Sequence, residues 1–162
     1  MAGHPFGPVA GPNSRALILG SWPSPKSRKL GFYYGHPQNR FWPLLAALTG
    51  EQLPVEIEAK RQLILRHGLA LWDVLDSCTI TGASDASIRD AVPVDLTALL
   101  QAAPIQAVFC NGTAAHTLYT KHLQPVCGLP AVRLPSTSPA NAAVRMAQLQ
   151  QVWGEALAPW LV

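Results

Sequence analysis

Residues 16–42 read ALILGSWPSPKSRKLGFYYGHPQNRFW, and the change of character within them sets the expected fold. Residues 15–20 have strand length and hold a continuous apolar run over 16–19, the pattern of a strand covered on both faces in a parallel sheet. Gly20 lets the chain turn tightly at the carboxyl end of that strand, the edge of an open α/β sheet where ligands bind. A long polar and aromatic loop follows, stiffened by Pro23, Pro25 and Pro37, and an apolar helical segment resumes over 40–48 and stops at Gly50. A stiff loop in that place suits a preformed pocket, so chemistry is expected there.

Working outward, the same unit recurs. Residues 105–110 (IQAVFC) read as a second buried strand, followed by Asn111-Gly112-Thr113 and a helix over 114–123. Residues 131–134 read as a third, opening into Pro135-Ser-Thr-Ser-Pro-Ala-Asn141 and a long helix over 142–157. Strand, turn and helix in succession build a parallel sheet, with the turns at Gly20, Asn111 and Pro135 on one edge. Between these units, 55–66 has helical spacing with Gly68 beyond its end, 79–85 reads as loop, and Asp95 caps a short helix through Ala102. The apolar run 69–75 fits strand or helix equally at its length. The expectation is a single α/β domain over 1–162, with 1–14 a loose N-terminal segment.

Composition narrows the class. A chain of 162 residues buries a real core without staples, and 49% hydrophobic with 13% charged residues fits a globular α/β protein. No apolar run approaches the roughly 20 residues of a membrane helix. The opening residues MAGHPFGPVAGPNS lack the pattern of a secretory signal, so a cytoplasmic location is expected. Cys78, Cys110 and Cys127 form no Cys-x-x-Cys pair and read as reduced thiols, with neither disulfides nor an iron–sulfur cluster. Net charge is only +3, yet up to Gly50 the chain carries Arg15, Lys26, Arg28, Lys29 and Arg40 and no acid. That asymmetry fits an anionic partner or simply a solvated basic surface.

Residues 20–24 (GSWPS) are no phosphate loop, and no Ser sits in Gly-x-Ser-x-Gly. His36, His67, His116 and His122 lack metal-ligand spacing, so neither cofactor nor metal is expected. Residues 33–42 place aromatics, an amide and a basic residue together in a proline-stiffened loop, which suits stacking a planar base and reading its edge. Aromatics beside a helix start are equally at home in a core.

Two motifs, GSWPSPKSRKLGFYYGHPQNRFW over 20–42 and LPSTSPAN over 134–141, resemble the uracil-DNA glycosylase superfamily, and most closely its hypoxanthine-DNA glycosylase family. The resemblance implies a three-layer α/β/α sandwich around a short, mainly parallel sheet. It implies a monofunctional, monomeric enzyme of base excision repair that hydrolyses the N-glycosidic bond of a deaminated base, hypoxanthine above all, flipped out of DNA. A uracil or G·U-mismatch glycosylase is the alternative enzyme, and a non-catalytic damaged-DNA-binding module the alternative outside the enzymes. No lysine is poised for Schiff-base chemistry, which favours hydrolysis.

By the same resemblance Gly20, Ser21, Trp22 and Pro23 wall the base pocket and Tyr34 stacks on the base. Ser24, Lys26 and His36, with Arg28 and Lys29, face the DNA backbone. Ser136, Ser138, Pro139 and Asn141 belong to the loop that enters the duplex. Mismatch-specific uracil enzymes carry an Asn where this chain has Trp22, so the catalytic duty moves to Asn39, as in the hypoxanthine family. A neutral amide there either orients water or hydrogen-bonds the leaving purine, and it also suits capping a helix that begins near Arg40. Ser138 and Ala140 stand where those enzymes place a Leu and an Arg wedge, so a weaker wedge is expected. Ser21 could instead stabilise its turn and Tyr34 could be core. Asp73, Asp76 and Asp85 are reserve carboxylate bases, with capping or surface exposure their expected use.

Overall fold

A computed structural model describes residues 2–4, 6–80 and 87–162. Along the chain come β1 (Ala2–Gly3), β2 (Ala16–Gly20), α1 (Pro25–Leu30), α2 (Phe41–Thr49), α3 (Ile57–Arg66), β3 (Leu69–Asp73) and β4 (Leu75–Thr79). Then follow β5 (Arg89–Pro93), α4 (Thr97–Ala102), β6 (Ala107–Asn111), α5 (Thr113–His122), α6 (Gln124–Cys127), β7 (Ala131–Leu134) and α7 (Met146–Leu157).

The expected central strand is β2, buried at every residue, and it is continuously apolar because both its faces are covered. It lies between β3 and β6 in a sheet of order β3-β2-β6-β7, parallel throughout, with Ile18 opposite both Leu71 and Phe109. Side chains alternate across it. Ala16 and Ile18 join Phe41, Leu44 and Leu45 of α2, Leu63 and Ile64 of α3, and Leu149, Trp153 and Leu157 of α7. Leu17 and Leu19 join Leu99 of α4 and Ala115 and Tyr119 of α5 on the opposite face. These are the three layers of the expected α/β/α sandwich.

Several expectations need correction. The ambiguous run 69–75 becomes two strands: β3 in the parallel sheet, and β4 in a small antiparallel sheet of order β1-β4-β5. The break falls at Val74, whose N–H donates to the Gly20 carbonyl at 2.8 Å. Thr79 ends β4 rather than starting a loop, and 81–86, with Asp85, lie outside the described residues. The loop after β2 contains α1, begun by Ser24, whose hydroxyl accepts from the Ser27 N–H, and ended by Gly31 at φ 83°. The last helix starts at Met146 instead of 142, because the residues before it are held in another way, described below.

The described residues of the N-terminal segment make specific hydrogen bonds. His4 N–H donates to the Asp76 carbonyl at 2.6 Å, and Val9 and Leu71 exchange backbone hydrogen bonds at 2.9 and 2.8 Å. The buried Ser14 hydroxyl donates to the Leu69 carbonyl at 2.7 Å, and the Tyr33 hydroxyl donates to the Gly7 carbonyl at 2.8 Å. Backbone groups with such partners hold a segment that composition alone would leave free.

Trp153 is wholly buried and its indole N–H donates to the Pro135 carbonyl at 2.9 Å, so it joins core packing to the second motif. Urea unfolding should show Trp153→Phe, which orphans that carbonyl, destabilised by about 1–3 kcal/mol. Trp153→Ala, which also opens a cavity, should lose about 3–5 kcal/mol.

Candidate active site

The chain leaves β2 toward β3 on one side and leaves β6 toward β7 on the other, so a crevice opens between the carboxyl ends of β2 and β6. A cavity lies there, lined by Gly20, Ser21, Trp22, Tyr34, Asn39 and Asp73 together with Asn111 and Thr137. Ser21, Trp22, Asp73 and Thr137 are buried, while Tyr34, Asn39 and Asn111 are half-buried. Pro23, Ser24, Ser136 and Ser138 also line it.

Gly20 is required by close approach. A Cβ there would run into the Asp73 carboxylate and stand 3.2 Å from the Tyr34 hydroxyl. Asp73 pairs with Gly20 across the two strands and is only 3% exposed, which overturns the expectation of a capping or surface carboxylate. Asp76 is exposed. Asp73 Oδ2 is 2.8 Å from His4 Nε2. The Phe6 N–H donates to His4 Nδ1 at 3.3 Å, which leaves Nε2–H as the donor to Asp73. The His4 ring stands edge-on to Trp22, with centroids 5.7 Å apart. Nothing in the sequence marks His4, because the partner that gives it a role lies 69 residues away.

Tyr34 takes a left-handed backbone, φ 53°, and its ring stacks on Phe41 at 4.0 Å and 22°. It is thus both core and site. Burial, then the Asp73 charge, pushes its hydroxyl well above the usual phenol range, so it stays a neutral donor. That hydroxyl and the Trp22 indole N–H are buried and donate to no partner among the described residues, the Asn111 amide lying beside the phenol oxygen as a donor. Buried donors are almost always paired in native proteins, so two of them on one cavity mark a place for acceptors.

The second motif meets the first at Asn39. Asn39 Oδ1 accepts from the Phe41 N–H and from the Thr137 hydroxyl, both at 2.9 Å. The cap position of α2 is Arg40 rather than Asn39, but Asn39, one residue earlier, ties down the first N–H of the helix while lining the cavity. Thr137 is completely buried; its N–H donates to Asn111 Oδ1 and its oxygen accepts from Asn111 Nδ2, both at 3.0 Å. Thr137 and Asn111 stand in the turns that the sequence places on the sheet edge, yet neither was singled out for the site.

Arg40 holds this loop. Its guanidinium donates to the carbonyls of Ser138 and Asn141, both at 3.0 Å, and to that of Val144. Its own N–H donates to the Thr137 carbonyl at 3.1 Å. Arg40, counted above among charges open to an anionic partner, is committed to main-chain oxygens instead. The Ser136 and Ser138 hydroxyls accept from the N–H groups of Ser138 and Ala140 at 3.1 Å, shaping the loop while lining the cavity.

Other expected contacts stand apart from the cavity. Lys26 is exposed on α1. His36 Nδ1 accepts from the Gln38 N–H at 3.1 Å. Asn141 Nδ2 donates to the Ser136 carbonyl at 3.0 Å, and Pro139 lies half-buried beside it. Among the described residues no three His, Cys, Asp or Glu side chains converge as a metal would require, and no helix is long and apolar enough to cross a membrane.

A parallel sheet whose carboxyl edge joins an aromatic-walled cavity to a serine-rich loop defines an α/β domain with a ligand crevice at its switch point. Residues 8–157 match the Uracil DNA glycosylase superfamily, and the chain belongs to that superfamily. Hypoxanthine DNA glycosylase from Methanosarcina acetivorans is 36% identical over 138 residues, covering 84% of this chain and 86% of that protein. The protein of the same name from Methanosarcina barkeri is 36% identical over 109 residues, covering 66% of this chain and 69% of its own. A solution NMR structure from Methanosarcina acetivorans, of a candidate uracil DNA glycosylase, superposes with a TM-score of 0.77 at 31% identity. It covers 93% of this chain and 95% of that one.

Two substitutions test this geometry by stability alone. Gly20→Ala should cost about 1–3 kcal/mol through overpacking against the Asp73 carboxylate. Tyr34→Phe removes a buried hydroxyl whose hydrogen has no acceptor and should raise stability by about 1 kcal/mol. Thermal melts of the free protein read both.

Proposed function

We propose that this protein is a DNA glycosylase that releases hypoxanthine from deoxyinosine in DNA. The observation that carries the reading is the junction of the two motifs at one cavity through Asn39 and Thr137, in a chain whose relatives are named for that activity.

A base stacked in a duplex is out of reach, so the nucleotide swings out and its base enters the cavity between the two loops. Tyr34, backed by Phe41, supplies a stacking surface. The Tyr34 hydroxyl and Trp22 N–H donate to acceptors on the base, and Ser21 with the Gly20 and Pro23 backbone bounds its edge. Cleavage breaks the C1′–N9 bond, whose electron pair departs with the purine, and leaves oxocarbenium character on the sugar. Water adds its oxygen to C1′ and the proton it sheds neutralises the purine anion, giving free hypoxanthine and an abasic site. Ser24, Lys26, His36, Ser136, Ser138, Pro139 and Asn141 hold the strand around the extruded nucleotide, and Asn39 assists the cleavage itself.

Single-turnover assays on duplexes containing deoxyinosine, deoxyuridine or deoxyxanthosine test the reading, with fastest release expected from deoxyinosine. Fastest release from deoxyuridine would make it a uracil enzyme, and no release from any of them, with binding intact, would make it a damaged-DNA-binding module. Asn39→Ala should lower release by about 100-fold or more while DNA binding persists. Lys26→Ala should weaken binding to all sequences alike and reduce the salt slope by about 1.

A further inference from the structure

The hydrogen bonds around Asn39 run in one direction only. A carboxamide oxygen accepts and its nitrogen donates. The Phe41 backbone N–H can only donate, so the end of the Asn39 side chain facing it, at 2.9 Å, is the oxygen. At the far end of the chain the Thr137 backbone N–H, also only a donor, fixes the oxygen of Asn111. Asn111 must then present its Nδ2 to the Thr137 hydroxyl oxygen, at 3.0 Å. That hydroxyl is left to donate its single hydrogen to Asn39 Oδ1 at 2.9 Å, and Thr137 is wholly buried, so water does not compete for it. Two backbone donors that cannot reverse therefore set the same orientation from both ends. Turning the Asn39 amide over would set its hydrogens against the Phe41 N–H and leave a buried hydroxyl without an acceptor.

The consequence lies at the cavity. Both lone-pair directions of Asn39 Oδ1 are filled, while its Nδ2 hydrogens meet no acceptor among the described residues, on a half-buried side chain that lines the cavity. We infer that Thr137 and Asn111 are positioning residues that lock Asn39 as a hydrogen-bond donor to the departing base, rather than as an acceptor that orients the attacking water. This rests on the base-release reading above. As the C1′–N9 pair moves onto the purine, charge spreads over its ring nitrogens and O6, and a fixed donor stabilises that charge more in the transition state than in the ground state. Water adds to C1′ without a proton acceptor from Asn39, and its proton goes to the purine anion that has just left.

Two pairs of variants test this by single-turnover base release from deoxyinosine at neutral pH. Asn39→Asp keeps an acceptor for Phe41 and Thr137 but has no donor. It should fall as far as Asn39→Ala, by about 100-fold or more. Near-normal or faster release by Asn39→Asp is what a water-orienting acceptor would give, and it overturns the inference. Thr137→Val should lower the maximal rate about ten-fold or more with the half-saturating DNA concentration unchanged, and Thr137→Ser, which restores the hydroxyl, should recover it. A valine variant as fast as the parent, or a serine variant as slow as valine, also overturns it. Thermal melts run alongside, and if Thr137→Val fails to fold, the Asn39 pair decides. A parent protein that releases no base from any substrate removes the base-release reading and takes this inference with it; an active parent with an active Asn39→Asp removes the inference alone.

Discussion

The grip of Arg40 on main-chain carbonyls is the constraint on which the rest of the site depends. A guanidinium offers several N–H donors in a fixed plane, and here three of them converge on the carbonyls of Ser138, Asn141 and Val144. The Ser138 and Asn141 carbonyls also accept from the Asn141 and Val144 N–H groups in short turns, at 3.0 and 3.2 Å, so Arg40 ties those turns to the start of α2. Beyond these turns α7 begins at Met146, its start marked by the extended Arg145 and the Gln148 side chain that accepts from the Arg145 N–H. The grip of Arg40 also brings Thr137 to Asn39. Lysine, with a single compact ammonium, could not span three carbonyls in this way.

The sheet supplies the second half of the arrangement. Parallel order places Gly20, Asp73 and Asn111 at one edge, and the absence of a side chain at Gly20 lets a carboxylate and a phenol approach the same backbone. Folding thus concentrates donors at this edge: an indole, a phenol and a carboxamide nitrogen, around one buried carboxylate already held by His4. Donors that lack protein partners are destabilising in the free protein and become useful when acceptors arrive. Stability and recognition therefore pull in opposite directions at Trp22 and Tyr34.

The central strand, its two parallel companions and their turns were legible because continuous apolarity over strand length, followed by a glycine or an amide turn, has few other readings. The run 69–75 was ambiguous because its division depends on Val74 bonding to the end of β2, a contact that local pattern does not encode. Much of the cavity lining was legible through the two motifs, since Gly20, Trp22, Tyr34, Asn39, Ser136 and Ser138 all line it. His4 was not, and Asp73 stood only as a reserve base, because each looks ordinary alone and they acquire meaning only as a pair. The proline- and glycine-rich start of the chain likewise resembles a tail until its hydrogen-bond partners are known.

Those partners set an order of assembly. His4 lies at the very start of the chain and waits for a residue 69 positions later, while Asn39 waits for one 98 positions later. Contacts of such separation are late to form, because loop closure must come before they are rewarded. During synthesis the cavity therefore has one wall but no completed rim until the loop around Thr137 has left the ribosome, and a product interrupted before it would carry the first motif in a form unable to position its amide.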